Sequence, residues 1–356
     1  MTSSPRIGVL TFHRSINYGS YWQARCLVEG LRARGFRAEL LDHDCEQVRR
    51  AEVRCALQPE LPRRTPRALL KNYAAKTRKF AQAVASLPLS RRFSLHEPKH
   101  VDGYDVIVVG SDEVWNFRHP WYGSQPIFFG DTLEAGRLVS YAASFGNHGA
   151  SEGIHADWAL KLDRFSRISV RDRNSWHLVR GATGREPELV LDPCLQFNHV
   201  NGPHEQEQSG RYVLVYGHGF PAWLKRRTRE WADARGFSLA SVGYYNEWAD
   251  KQLIDAGPVD FARLMAGSRA VITNFFHGCI FALLNGKPWV SCPSSYRSIK
   301  ITDLVSLLGA ESRLIDEQTP QRTVDELLEM PVGTQVAARI AELRAQSDAY
   351  FDAAFA

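Results

Sequence analysis

Short apolar runs alternate with helix-length segments along the whole chain, and this alternation restricts the possible folds most. Residues 6–12, 104–109 and 270–273 have the composition of buried strands, and a turn and a helical pattern follow each run. Such alternation is typical of parallel sheets covered by helices. Because 356 residues exceed what one compact core usually holds, we expect an α/β fold of two Rossmann-like doubly wound domains that face each other across a cleft.

The predicted domain limits follow from one polar stretch. Residues 198–210, NHVNGPHEQEQSG, contain glycine and proline and few apolar side chains, which is typical of a linker. The sequence therefore predicts an N-terminal domain over residues 1–197, a linker over 198–210 and a C-terminal domain over 211–356.

Positive charge is concentrated in one segment. The net charge of the chain is +5, and residues 48–99 carry thirteen Lys or Arg against three Glu. Apolar residues recur at helical spacing in the same segment, among them Tyr73, Phe80 and Val84. This pattern predicts either an amphipathic helix that contacts anionic lipid or a lipid-linked phosphate, or a helix that packs on the core with an ordinary solvated face.

Polar residues follow the first predicted strand. The loop after residues 6–12 leads into a predicted helix over about 21–34, and the carboxyl ends of parallel strands face the ligand in folds of this class. We therefore expect an acceptor-binding set here, unless the same residues only form the turn and cap the helix. The set is Asn17, Tyr18, Gly19, Ser20 and Gln23.

The end of the next predicted strand carries polar and charged side chains. The run 104–109 ends in the second part of the predicted acceptor-binding set, which is Ser111, Asp112, Glu113, Trp115 and Asn116. Asp112 is predicted to orient or activate a hydroxyl group, or else to cap a helix together with Ser111.

The short predicted strand over residues 167–170 ends in Arg171. A guanidinium group at this position suits a carboxylate or a phosphate. The alternative is an ordinary ion pair on the surface.

The segment from residue 270 to residue 300 carries the most chemistry. Its strand leads through Asn274 and His277 into a helix that begins near Gly278. A helix start favours an anion, and histidine is the side chain suited to move a proton near neutral pH. Arg297 and Lys300 follow near a second helix start and are candidate ligands for the same anion. The alternative is a histidine that caps its own helix.

Six segments together resemble the polysaccharide pyruvyl transferase family. In chain order they are NYGSYWQA, GSDEVWN, SYAASFG, SVRD, LDPCL and TNFFHG, which extend from residue 17 to residue 278. The resemblance implies a fold like that of GT-B glycosyltransferases, with the acceptor on the N-terminal side and phosphoenolpyruvate on the C-terminal side. It also implies transfer of pyruvate, as a ketal, onto two hydroxyl groups of a sugar of a polysaccharide or a lipid-linked glycan precursor, without a metal or other cofactor.

The resemblance also assigns roles. His277 is implied as the acid or base at the enolpyruvyl group, and Gly278 with the following N–H groups as the phosphate site. Arg171 is implied to hold the donor carboxylate or phosphate, together with Arg297 or Lys300. One position departs from the family, because Phe275 stands where some members have an arginine and many have a serine.

The sequence leaves two other functions open. The first is a transferase of the same architecture that uses a nucleotide sugar or another donor, and the second is a homologue that binds a glycan without catalysis. No basic and aromatic pattern of a nucleic-acid-binding sheet is present. The N-terminus reads as a strand and not as a signal peptide. We therefore expect a cytoplasmic protein, with contact to the inner face of the membrane through residues 48–99 as a further expectation.

Overall fold

Parallel strands form the framework of the protein. The computed structural model describes residues 4–99, 101–198, 210–294 and 298–356. The strands are β1 (Arg6–Leu10), β2 (Arg37–Leu40), β3 (His43–Asp44), β4 (Phe93–Ser94), β5 (Tyr104–Val109), β6 (Ala135–Ser140), β7 (Ser169–Val170), β8 (Glu188–Leu189), β9 (Tyr212–Tyr216), β10 (Ser238–Val242), β11 (Lys251–Leu253), β12 (Ala270–Thr273) and β13 (Trp289–Ser291).

Helices follow most of these strands. They are α1 (Tyr18–Ala33), α2 (Glu46–Leu57), α3 (Arg67–Ala85), α4 (Ala156–Leu162), α5 (Arg173–Thr183), α6 (Pro193–Phe197), α7 (Ala222–Ala234), α8 (Pro258–Gly267), α9 (Phe276–Leu284), α10 (Ser298–Leu308), α11 (Gln321–Glu329) and α12 (Thr334–Phe355). Among the described residues, no helix is long and apolar enough to cross a membrane.

The chain divides into two compact units. Unit 1 comprises Met1–Glu52, Val84–His199 and Ile340–Ala356, and unit 2 comprises Val53–Ala83 and Val200–Arg339. This division corrects the predicted limits in two places. The segment from residue 53 to residue 83 belongs with the second unit, and the last residues of the chain belong with the first.

Unit 1 is built on a sheet of four strands in the order β2-β1-β5-β6. Every pair in this sheet is parallel. Its core contains apolar residues of the strands, such as Leu10 and Ile107, and aromatic residues of the following loops, such as Trp115 and Phe128.

Unit 2 contains a sheet of five strands in the order β11-β10-β9-β12-β13. These strands are also all parallel. Val213 and Ile272 of the central strands and Leu224 of α7 are fully buried in its core. The two parallel sheets with their helices confirm the predicted pair of Rossmann-like folds.

Helix α3 packs on unit 2 through a stripe of buried residues. Tyr73, Lys76 and Phe80 have almost no exposed surface. The Tyr245 N–H donates to the Tyr73 hydroxyl at 3.0 Å, and the Lys76 ammonium donates to the Gly243 carbonyl at 2.9 Å. The apolar face of this helix is therefore used inside the protein. Of the two predictions for the basic segment, the structure shows the helix packed on a core.

The end of α12 completes unit 1. Tyr350, Phe351 and Ala354 are buried, and the Phe351 ring stacks on Tyr141 with a distance of 4.3 Å between ring centroids. The Leu191 N–H donates to the Ser347 hydroxyl at 2.9 Å. The predicted domain limits placed these residues in the C-terminal domain, because position in the sequence does not show which unit a helix packs on.

Candidate functional site

The order of the strands defines a crevice in unit 1. The chain leaves β1 toward β2 on one side and β5 lies on the other side, so the ends of β1 and β5 flank the switch point where such sheets bind ligands. The Thr11 hydroxyl after β1 donates to the Ser111 carbonyl after β5 at 2.8 Å. The Gln23 side chain in α1 donates to the Thr11 hydroxyl at 2.9 Å. The structure therefore brings together the loop after β1, the loop after β5 and helix α1.

Asp112 lies at the centre of this crevice and is surrounded by donors. Its Oδ2 accepts a hydrogen bond from the Ser20 hydroxyl at 2.6 Å. Its Oδ1 accepts from the Arg171 guanidinium at 3.1 Å and from the Glu113 N–H at 2.9 Å. The backbone at Asp112 has a φ of 81°, a value that residues other than glycine rarely adopt. The carboxylate is therefore fixed in position by three groups.

Arg171 bridges two carboxylates inside unit 1. Besides Asp112, its guanidinium donates to Asp192 at 3.1 Å, and only 2% of its side chain is exposed. Burial alone would lower the pKa of Arg171, but the negative charges of Asp112 and Asp192 raise it. Arg171 thus remains charged and joins the ends of β5, β7 and β8.

The predicted residues of the first loop have different surroundings. Asn17 is exposed and caps α1, because its side chain accepts from the Gly19 and Ser20 N–H groups at 2.8 Å and 3.3 Å. Tyr18 and Gln23 are buried. The helix therefore begins three residues earlier than predicted, at Tyr18, with Asn17 and not Ser20 as the cap.

Trp115 does not belong to a binding surface. Its indole is fully buried, its N–H donates to the Phe128 carbonyl at 2.8 Å, and its ring packs between Phe129 and Phe165. The predicted acceptor contact is corrected to a core position, because the aromatic loop residues bury this side chain.

Glu113 and Asn116 bond to each other beside Asp112. The Asn116 amide donates to Glu113 Oε2 at 2.7 Å and to the Asn147 side chain at 2.9 Å. Asn116 is buried, whereas Glu113 is half-buried. Both residues follow Asp112 in the loop after β5.

Glu52 in α2 is a buried carboxyl group that the sequence analysis missed. It is 8% exposed, and its Oε2 accepts from the Ile16 N–H in the loop after β1 at 3.2 Å. Burial raises the pKa of Glu52 to about 7, and the charge of Asp112 adds to this shift. No local pattern distinguishes it from the other glutamates of the basic segment, because its burial depends on contact with a loop that is distant in the chain.

A second buried cluster lies next to the same loop. His13 Nε2 lies 3.0 Å from Asp42 Oδ1, and Arg14 pairs with both oxygens of Asp42 at 2.6 Å and 2.7 Å. Although burial opposes the shift, hydrogen bonds from His13 and Arg14 hold the pKa of Asp42 well below its usual range. Burial lowers the pKa of the neighbouring His43 to about 3. These contacts fix the position of the loop after β1.

Unit 2 has an equivalent crevice between β9 and β12. The chain leaves β9 toward β10 on one side, and β12 lies on the other. The Asn274 side chain crosses this point and donates to the His218 carbonyl at 2.8 Å. Gly217 is required beneath it, because a Cβ atom there would overlap the Asn274 side chain and its φ is +145°.

His277 is the second residue of α9. Phe275, the residue before the helix, is the cap position and supplies no side-chain hydrogen bond to the helix start. His277 is buried, with 8% of its surface exposed. The structure therefore places this histidine in the first helical turn, as predicted, where the positive end of the helix dipole lies.

Gly278 allows the helix start to lie against β12. A Cβ atom at this position would overlap the Thr273 hydroxyl. That hydroxyl is held in place, because it donates to the Tyr216 carbonyl at 2.7 Å and accepts from the Phe275 N–H at 3.1 Å. The first turn of α9 is thus fixed to the ends of β9 and β12.

Phe275 is part of an aromatic cluster at the ends of three strands. Its ring lies 4.9 Å from Tyr216, 5.5 Å from His218 and 5.2 Å from Tyr244, measured between ring centroids. His218 and Tyr244 are half-buried. The Lys76 ammonium lies 4.5 Å from the centre of the Tyr244 ring, and burial lowers the pKa of Lys76 to about 7.

The remaining predicted basic residues are on or near α10. Lys300 lies in the first turn of α10 and is 8% exposed. Arg297 lies outside the described residues. Both therefore remain candidates as anion ligands.

One family model matches most of the chain. It is described as polysaccharide pyruvyl transferase and matches residues 17–296. This range includes the start of α1 and the end of β5 in unit 1, and the start of α9 in unit 2. No curated protein matches the sequence.

Several solved structures resemble the chain at low sequence identity. The UDP-GlcNAc 2-epimerase of Methanocaldococcus jannaschii is 10% identical, with a TM-score of 0.49 over 95% of this chain and 98% of that one. The UDP-GlcNAc 2-epimerase of Neisseria meningitidis is 8% identical, with a TM-score of 0.47 over 96% of this chain and 93% of that one. A T4 phage glucosyltransferase bound to UDP-glucose is 9% identical, with a TM-score of 0.43 over 98% and 99%.

Proposed function

Because the chain belongs to the polysaccharide pyruvyl transferase family, we propose that it transfers pyruvate from phosphoenolpyruvate onto two hydroxyl groups of a sugar, forming a ketal. The observation that carries the proposal is the family match, since it covers the end of β5 in unit 1 and the start of α9 in unit 2. In this proposal unit 1 binds the sugar of a polysaccharide or lipid-linked precursor. Unit 2 binds phosphoenolpyruvate, and no metal takes part.

The start of α9 suits the donor. Phosphoenolpyruvate carries a phosphate and a carboxylate, and the positive end of a helix dipole favours such anions. His277 in this turn would donate a proton to C3 of the enolpyruvyl group. Lys300 and Arg297 remain the candidates for the additional positive charge.

The reaction balances with one proton carrier and one base. Protonation converts C3 to a methyl group and leaves C2 electron-poor. The first sugar hydroxyl forms a bond to C2 and loses its proton, the C2–O bond to phosphate breaks, and the second hydroxyl forms the other ketal bond and loses its proton. One of the two hydroxyl protons restores His277, and the other leaves with phosphate.

Arg171 acts in this proposal as a positioning residue. Its guanidinium is paired with Asp112 and Asp192, so binding the donor would require these buried pairs to open. By holding Asp112, it fixes the carboxylate that accepts from Ser20 and faces the crevice of unit 1. The variant Arg171→Ala tests whether Arg171 instead binds the donor directly.

The direct test measures phosphate release. The purified protein is mixed with phosphoenolpyruvate and p-nitrophenyl glycosides of galactose, glucose, mannose and N-acetylglucosamine, and with the same sugars on polyprenyl diphosphate. We expect phosphate release with at least one acceptor and a product heavier by one pyruvate ketal. No release with any acceptor, together with no thermal stabilisation by phosphoenolpyruvate, contradicts the proposal; at about 100 times Kd the stabilisation should be about 2.7 kcal/mol.

A nucleotide-sugar donor is the second candidate, and the aromatic cluster favours it. The half-buried rings of His218 and Tyr244 with Phe275 suit stacking on a planar base. In that case UDP, and not phosphoenolpyruvate, would raise the melting temperature. A matched pair of thermal-shift titrations with the two ligands separates these candidates.

A further inference from the structure

Glu52 is the carboxyl group of unit 1 whose surroundings best suit a change of protonation. It is almost fully buried on α2, and it contacts the loop after β1 through the Ile16 N–H at 3.2 Å. The next residue of that loop is Asn17, which caps α1 and is exposed. Glu52 therefore lies under the same loop that leads to the predicted acceptor residues.

Asp112 is less suited to accept a proton. One oxygen accepts from Ser20, and the other accepts from Arg171 and from the Glu113 N–H. Each of these donors stabilises the ionised form, and a base that takes a proton would lose the ion pair with a buried guanidinium. Asp112 is thus a carboxylate fixed by several donors, whereas Glu52 has fewer charged neighbours.

Within the described parts of the chain, the groups that act on the charge of Glu52 are two hydrogen-bond donors and a carboxylate. The Ser15 hydroxyl and the Ile16 N–H form hydrogen bonds to it, and the charge of Asp112 acts on it from the end of β5. The buried Tyr122 also interacts with it, and the Ser15 hydroxyl bonds to both. Burial and the negative charge of Asp112 both favour the protonated acid, whereas the two hydrogen bonds favour the carboxylate.

We propose that Glu52 is the base that accepts the proton of an acceptor hydroxyl bound at the crevice of unit 1. This inference rests on the proposed function. As the hydroxyl oxygen forms its bond to C2 of the donor, its O–H bond breaks and the proton moves to the Glu52 carboxylate. Glu52 then loses this proton to solvent, and the released phosphate takes up one proton, so the carboxylate is restored and the protons balance. Ser20 and Asp112 orient the hydroxyl, and Glu52 changes its protonation state.

A general base is most effective when its pKa lies near the working pH. The carboxyl group of Glu52, with a pKa of about 7, meets this condition. We therefore expect kcat/KM for the acceptor to rise about tenfold per pH unit below about pH 7 and to level off above it.

The test compares Glu52→Gln with Glu46→Gln, an exposed residue on the same helix. Glutamine keeps an oxygen that accepts from the Ile16 N–H but does not take up the proton. We expect Glu52→Gln to lower kcat by about 100-fold or more, to remove the pH dependence below pH 7, and to leave KM for phosphoenolpyruvate unchanged. Glu46→Gln should retain the wild-type rate and pH profile.

Two outcomes separate the inference from the proposed function. If the wild type is active and Glu52→Gln stays within threefold of it with the same pH profile, Glu52 is not the base and the pyruvyl transfer stands. If the wild type releases no phosphate with any acceptor of the panel, the proposed function fails and the inference fails with it.

If Glu52→Gln does not fold, infrared difference spectra of the wild type, with and without the acceptor, decide. A protonated carboxyl band that titrates near pH 7 and shifts with the acceptor supports the assignment. A carboxyl signal that does not respond to the acceptor overturns it.

Discussion

The Ser20 hydroxyl donates to Asp112 Oδ2 at 2.6 Å, and this bond joins the first helix of unit 1 to the end of β5, 92 residues later in the chain. Ser20 lies in the first turn of α1, and Asp112 lies across the switch point of the sheet. The two segments that the sequence marked as an acceptor site are therefore in direct contact.

Arg171→Ala should unfold more easily than the wild type. Its removal leaves Asp112 and Asp192 as buried carboxylates without their shared cation, which typically costs about 3–5 kcal/mol. Urea denaturation measures this loss. The matched control is Arg173→Ala, two residues on and exposed, which should change the free energy of unfolding by less than about 0.5 kcal/mol. A stable Arg171→Ala protein that has lost only its affinity for phosphoenolpyruvate would instead support direct donor binding.

His277→Gln should reduce kcat by about 10²–10⁴-fold without loss of stability, because it removes the proton donor and retains a polar side chain of similar size. Phosphate release at saturating phosphoenolpyruvate is the measurement. The control is His177→Gln on α5, an exposed histidine, which should be as active as the wild type. Equal rates for both variants would remove His277 from the chemistry.

Glu52→Gln should change how stability depends on pH. Folding raises the pKa of Glu52 from 4.5 to about 7, so the folded state binds more protons and the wild type loses stability as the pH rises from about 4.5 to 7. Glutamine does not titrate, and the stability of the variant relative to the wild type should therefore increase by up to about 3 kcal/mol over this range.

Denaturant midpoints of Glu52→Gln and wild type between pH 4 and pH 9 measure this effect. The same series on Glu46→Gln provides the baseline. A constant difference between Glu52→Gln and wild type at every pH would show that Glu52 has an ordinary pKa in the folded protein.

Gly278→Ala should be destabilising, by about 1–3 kcal/mol, because its methyl group overlaps the Thr273 hydroxyl that fixes the start of α9. Stabilisation by phosphoenolpyruvate should fall as well. Gly181→Ala on α5 is the control, since nothing lies within 4 Å of its added Cβ atom. That change should stabilise the helix by about 0.5–1 kcal/mol. Two variants of equal stability would argue against close packing at Gly278.

Although α3 packs on a core, the exposed arginines of the basic segment should still bind anionic vesicles in a manner that depends on salt. Arg63, Arg64 and Arg67 are exposed, and their joint change to Ala should weaken binding to vesicles that contain phosphatidylserine. Cosedimentation at low and high salt measures it. Arg226→Ala with Arg322→Ala removes two exposed charges elsewhere in unit 2 and should have little effect. Binding that is indifferent to salt would contradict the prediction.

Local patterns predicted the sheets and most of the strand ends. Residues 104–109 and 270–273 are strands as expected, because continuous apolar runs of this length indicate buried parallel strands. The polar residues after them lie at the switch points, since chain order and parallel pairing determine where strands end. Both features are determined by residues that are neighbours in the sequence or that lie in the same sheet.

Contacts between distant segments were not predictable in the same way. Tyr73, Lys76 and Phe80 formed a visible helical stripe, but the surface that covers it is made of residues near position 245. Glu52 resembles any other glutamate in a basic segment, and only its contact with the loop at residue 16 shows that it is buried. Trp115 was assigned to the site because it follows a strand end, and the aromatic residues that enclose it come from several elements.

The composition of the two units has a consequence for how the protein is made. Unit 1 needs residues 340–356, and unit 2 needs residues 53–83. A ribosome that has released the first 200 residues has therefore produced neither unit in full, and α3 must wait for partners translated much later. Fragments cut at the polar segment 198–210 should expose the buried faces of α3 and the first sheet and aggregate when expressed separately.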